Sequence, residues 1–196
     1  MKALKMHREG RIIQDPPIAR FLFADTRAAW LWLVLRIYVG YQWVEAGLHK
    51  ITGTGWVDGG AALKGFWEKG VAIPATGNPV ISIGWYRDFI NMLLGAQSYT
   101  WFAPLIAYGE FLVGVGLIVG AFVGIAAFFG GFMNWNFIMA GSASVNGFLL
   151  VLTVFLVLAW KIAGYIGLDR WLLPILGTPW KSKAAAPAAP PVPATN

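Results

Sequence analysis

Arg36, Glu45, Lys50, Glu110 and Lys161 stand inside long apolar runs of this 196-residue chain. An ionised group facing hydrocarbon costs several kcal/mol, so each must pair, open onto water or snorkel to the interface. The chemistry open to such residues is ion pairing, anion binding or proton transfer. At ~1.5 Å per residue, Arg36 lies ~12 Å from the inner edge of its run and Glu110 ~12 Å from the outer edge of its own, ~6 Å apart along the normal of a ~30 Å core. These depths predict an Arg36–Glu110 pair, serving either as a register-fixing salt bridge or as part of a substrate site. Asn134 and Asn136 fall near the same depth and suit interhelical hydrogen bonds or ligand contacts. Lys161, close to the inner end of its run, is expected to snorkel.

The first run carries two polar stripes. At ~100° per residue, Arg36, Gly40, Trp43, Gly47 and Lys50 share one side of a helix, and Tyr38, Gln42, Glu45 and His49 share the side roughly opposite. One stripe should face a bundle interior and the other a partner subunit, a groove or a folded loop. Glu45 and His49 form an i,i+4 acid–imidazole pair that suits a proton relay or a contact to the loop. Trp43, on the Arg36 stripe, is the tryptophan placed to stack on a ligand ring. Gly109, Gly116, Gly120 and Gly124 read as close-packing positions.

Four apolar segments must position these residues: Ala28 to Ile51, Phe102 to Val123, Gly124 to Gly141 and Gly147 to Leu168. Each matches the ~20 residues that cross a bilayer core. Continuous runs such as FLLVLTVFLVLAW lack the alternation of barrel strands, so the expected fold is all-α, an integral membrane four-helix bundle. The chain has no cysteine, which excludes disulfides, thiolate metal sites and cysteine-based redox relays. Two histidines, one of them His7 in the leader, cannot build a haem or zinc site, so no metal or covalent cofactor is evident.

Lys2, Lys5, Arg8, Arg11, Arg20 and Arg27 precede the first span, whereas Lys64, Lys69 and Arg87 of the 52–101 loop are offset by Asp58, Glu68 and Asp88. Positive residues stay in the cytoplasm. Both termini are therefore expected inside a plasma membrane, with the loop outside and Arg170, Lys181 and Lys183 inside. The net charge of +6 is then a topology signal, and nucleic acid is not an expected partner. The leader, 1–27, lacks an h-region and carries a short interfacial helix, IARFLF, with Asp25 or Thr26 as N-cap of the first span. ALKGFWEKG and WYRDFINMLLG read as amphipathic helices that fold the 52–101 loop into an extracytoplasmic cap. The four-span domain covers 28–168, a juxtamembrane segment 169–183 and a disordered Ala/Pro-rich tail 184–196.

Taken together, LRIYVGYQWVEAGLHKI, AYGEFLVGVGLIVGAFVGIAAFFGGFMNWNFIMAGSASVNG and AWKIAGYIGLDRWLLP resemble the spans of the DoxX/DoxD membrane proteins, from about Ala24 to Pro174. The resemblance implies a membrane protein like the large subunit of a thiosulfate:quinone oxidoreductase, with quinone as co-substrate and a second small subunit or a second copy as partner. On that reading Arg36, Glu45 and Glu110 carry catalysis, His49, Lys50 and Arg87 bind substrate, and Trp43, Asn134 and Asn136 hold quinone. Lys50, Lys64, Lys69 and Arg87 would form an electropositive outer mouth. The same residues also suit a non-catalytic scaffold of a membrane redox complex, while the absence of an internal repeat disfavours a transporter.

Overall fold

A computed structural model describes residues 15–178 and is all-helical, with no strand among the described residues. The helices are α1 Pro17–Ala24, α2 Ala29–Thr52, α3 Ala61–Val71, α4 Gly84–Gly95, α5 Tyr99–Val119, α6 Val123–Met139, α7 Asn146–Leu158, α8 Trp160–Ala163 and α9 Asp169–Ile175. The expectations for Lys2, Lys5, His7, Arg8, Arg11, Lys181, Lys183 and the 184–196 tail lie outside the described residues.

Among the described residues, α5 alone combines the length and apolarity needed to cross a membrane, with 21 residues and a mean hydropathy of 1.9 over its best window. The 24 residues of α2 are interrupted by Arg36, Glu45 and Lys50. At 17 and 13 residues, α6 and α7 are apolar but shorter. The last apolar run is not one helix. It breaks at Ala159, and α8 then tucks Ile162 and Ala163 into the core. Lys161 is exposed there.

Helices α2 and α5 form one tightly packed pair and α6 and α7 another, joined through α5 and α6. The α2–α5 seam depends on small residues. A Cβ added to Gly40 would lie 2.9 Å from the Gly114 carbonyl oxygen, and one added to Gly114 would lie 2.5 Å from the Val44 nitrogen. Of the expected packing glycines, Gly120 and Gly124 are tight, with an added Cβ 2.7 Å from Arg36 Nη1 and 2.6 Å from Trp160 Cβ, whereas Gly109 and Gly116 have room for a methyl group; Gly40, Gly47 and Gly114 are close-packed as well. Packing of α5 against α2 selects the face carrying Glu110 and Gly114, which the GxxxG spacing alone does not reveal.

The 52–101 loop folds into the two helices that its amphipathic stretches predict. Leu63, Trp67, Ile81, Tyr86 and Ile90 bury themselves against Ala103 and Ala140 at one end of α5 and α6, making α3 and α4 a cap with its own core. At the opposite end, Asp25 receives the Arg27 amide at 2.9 Å and caps a short 3-10 turn, Thr26–Ala28, from which α2 follows. Helix α1 is held to α2 by the Trp32 indole, which donates to the Leu22 carbonyl at 2.7 Å.

Candidate functional site

Glu110 of α5 is paired with Lys50 of α2, Nζ to Oε2 at 2.7 Å, and not with Arg36. The reason lies in side-chain direction. A helix tilts its Cα–Cβ bonds toward its own N-terminus, so on α2 both Arg36 and Lys50 lean away from the cap, while on antiparallel α5 Glu110 leans toward it. Arg36 thus leans away from Glu110 and Lys50 leans toward it. Matching Cα depths alone had let the arginine reach in either direction.

Arg36, 1% exposed, ends instead at the foot of α5. Its Nη1 donates to the Leu117 and Ile118 carbonyls at 2.6 and 2.7 Å, and its Nη2 donates to the Ile166 carbonyl. It therefore closes the last turn of α5, whose terminal carbonyls have no helical partner, and ties that turn to the segment after α8. Asp169 completes the arrangement by accepting from the Phe122 and Val123 amides at 2.6 and 2.9 Å, which caps α6. Burial pushes the Asp169 carboxyl above the usual range, opposed by these two amide bonds and by Arg36. Sequence reading missed Asp169 because the amides that it caps lie 46 and 47 residues earlier.

The Lys50–Glu110 pair forms part of the wall of a cavity of about 470 Å³ beneath the cap. Of the expected site residues, Trp43, Glu45, His49, Lys50 and Glu110 line it, and Arg36, Arg87, Asn134 and Asn136 do not. Glu45 and His49 are exposed, Lys50 has 18% of its side chain exposed, and Glu110 only 1%. The Lys50 ammonium also lies 5.1 Å from the Trp56 ring centroid and 5.9 Å from that of Phe137, within cation–π range. Glu110 Oε1 has no hydrogen-bond partner. An ion pair, a glutamate and a histidine one helical turn apart on α2 with no bond between them, and aromatic walls thus converge on one small-molecule-sized space. Ser142 and Asn146 add polar groups from the α6–α7 turn, with the Asn146 amide donating to the Ser142 carbonyl at 2.7 Å.

The other expected residues are placed elsewhere. Arg87 donates to the Ile81 carbonyl at 3.2 Å and braces the cap, and Lys64 sits 3.6 Å from Glu68 in an i,i+4 pair. The expected cluster of four cations does not assemble in the cavity, where the charge on Lys50 is matched by Glu110. Asn134 and Asn136, two residues apart, point to different sides of α6. Asn134 is fully buried, and neither of its amide atoms has a partner. Asn136 donates to Phe132 O at 2.8 Å and receives the Tyr86 hydroxyl at 3.1 Å. Burial pushes the Tyr86 phenol above its ordinary range.

The Tyr86–Asn136 contact belongs to a second cavity of about 170 Å³ between the cap helices and the near ends of α5 and α6. Phe66 and Phe137 line both cavities and divide one from the other.

No family model, curated protein or solved structure matches this chain. The likeness to DoxX/DoxD proteins accordingly rests on the motifs quoted above.

Proposed function

We propose that this chain is a four-span integral membrane protein of DoxX/DoxD type, with the cap outside and both termini cytoplasmic. In that role it acts as the membrane subunit of a quinone-linked oxidoreductase for thiosulfate or a related sulfur oxyanion. The spanning reading is supported by rings and aliphatic chains that α5, α6 and α7 leave exposed, among them Leu112, Phe128, Phe132, Phe148, Val151 and Val154. The asymmetry of Lys and Arg supports the orientation.

The observation that carries the functional reading is the Lys50–Glu110 pair in the wall of an aromatic-lined cavity. A quinone ring fits such a space: Trp43 and Phe137 offer flat apolar walls, and Lys50 keeps donor capacity beyond its bond to Glu110 for a carbonyl or an oxyanion. In the overall reaction two thiosulfate ions lose one electron each and join through a new S–S bond, while quinone takes up two electrons and two protons. Glu110, on the cavity wall, and the exposed Glu45 and His49 are the residues suited to pass those protons from water. The reading is tested by quinone reduction by the purified chain, with any co-purifying subunit, using thiosulfate, sulfite and sulfide in turn. Reduction that depends on one of these donors and on Lys50 supports it, and its absence with all three overturns it.

A second reading, a non-catalytic scaffold of a membrane redox complex, is favoured by one observation. Tyr38, Glu45 and His49 are exposed along α2, as a strip covered by a partner helix would be.

A further inference from the structure

The second cavity has chemistry unlike that of the first. Of the polar side-chain groups in its lining, the Tyr86 hydroxyl and the Asn136 amide oxygen bond to each other, which leaves an interior of Phe, Trp, Leu, Ile and Met side chains with little use for a polar ligand. Phe132 of α6, 53% exposed, stands at its edge on the side that the four-span reading turns toward lipid, and Phe89 of cap helix α4, 40% exposed, lines it from outside the bundle. Its other side backs onto Phe66 and Phe137, beyond which lie Lys50 and Glu110. A polar, charge-bearing chamber and an apolar one thus share a partition of two aromatic rings, one from cap helix α3 and one from α6.

We propose that the two cavities hold one amphipathic ligand: its redox-active ring lies against Lys50 and Glu110, its apolar chain passes between Phe66 and Phe137, and the chain occupies the second cavity. The inference rests on the quinone reading and adds to it the ligand class, a ring with a single long apolar substituent that enters from the lipid side. The cap thereby acquires a role in selection. Helices α3 and α4 supply Leu63, Phe66, Trp67, Phe89, Ile90 and Leu93 to the chain's chamber, so the segment between the first two spans grips the substituent while the bundle holds the ring. A chain already dissolved in lipid gains little from leaving water, so the chamber's contribution is orientation of the ring.

The test uses the purified full-length chain and a decyl-substituted benzoquinone with a diazirine midway along its chain. After photolysis, adducts are mapped by peptide mass spectrometry. Adducts on α4 and α6, at or beside Phe89, Leu93 and Met133, are expected, and excess unlabelled decylquinone should remove them. Leu93→Trp, which fills the chamber from α4, should cut them by about fivefold or more, while calorimetric affinity for the chain-less benzoquinone ring stays within about twofold. Phe89→Trp at the edge of the chamber serves the same purpose if Leu93→Trp fails to fold by circular dichroism. Adducts spread over lipid-facing Val151 and Val154 or on lipid alone, with the ring still binding in a Lys50-dependent way, overturn the two-chamber inference and leave the quinone reading standing. Failure of the chain-less ring to bind, or binding indifferent to Lys50→Gln, overturns both.

Discussion

Lys50 Nζ and Glu110 Oε2, 60 positions apart in sequence, meet at 2.7 Å and join α2 to α5 where the cap begins. The two ends of this pair are not equally buried: Lys50 retains 18% of its side-chain exposure and Glu110 1%. Loss of the lysine strands a buried carboxylate, whereas loss of the carboxylate leaves an ammonium that can turn toward water.

Lys50→Met should therefore destabilise the protein by ~3–5 kcal/mol and Glu110→Gln by clearly less, with the double variant recovering much of the loss. Detergent-solubilised thermal unfolding over the full double-mutant cycle measures this coupling. Equal and additive losses would show that the pair carries no interaction energy.

Arg36 is expected to act independently of Glu110. Arg36→Met removes the donors to Leu117 O, Ile118 O and Ile166 O and leaves the buried Leu117 acceptor unmet, at ~1–3 kcal/mol, with less lost at the two partly buried carbonyls. Combined with Glu110→Gln its cost should add within ~0.5 kcal/mol. Strong coupling in that second cycle would restore the Arg36–Glu110 pairing that depth alone suggests.

The α2–α5 seam makes a prediction about glycines. Gly114→Ala places a methyl 2.5 Å from the Val44 nitrogen and should cost ~1–3 kcal/mol, whereas Gly109→Ala meets nothing closer than Met133 Sδ at 3.9 Å and should be neutral or slightly stabilising. Thermal unfolding of the two variants side by side separates them.

The chain's lack of cysteine makes topology easy to read. Asn78→Cys, exposed in the cap between α3 and α4, should react with an impermeant maleimide added outside intact cells and be protected from the cytoplasmic face of inverted vesicles. The reverse pattern would contradict the proposed orientation.

Much of the helical frame was legible because apolar runs and their punctuation are local signals. The ends of α2 and α6 fall within two residues of the runs that predict them, and both cap helices fall on the amphipathic stretches. What the sequence did not reveal depends on direction or on distance along the chain. Lys50 rather than Arg36 reaches Glu110 because side chains lean along the helix axis, which a depth count ignores. Asp169 caps an α6 that begins 46 residues before it, and Trp56, Phe66, Ser142 and Asn146 reach the first cavity from loops and the cap, where no periodicity announces them. The break at Ala159 carries no proline or glycine to mark it.

The central claim, that the Lys50–Glu110 cavity reduces quinone at the expense of a sulfur oxyanion, is tested most directly by the rate of decylquinone reduction by the purified chain, with any co-purifying subunit, with thiosulfate as sole donor. The account predicts a thiosulfate-dependent rate that falls by about tenfold or more in kcat/KM on Lys50→Gln and is little changed by Arg87→Gln, whose guanidinium braces the cap away from the cavity. The absence of a thiosulfate-dependent rate, or a rate that Lys50→Gln leaves unchanged, would contradict it.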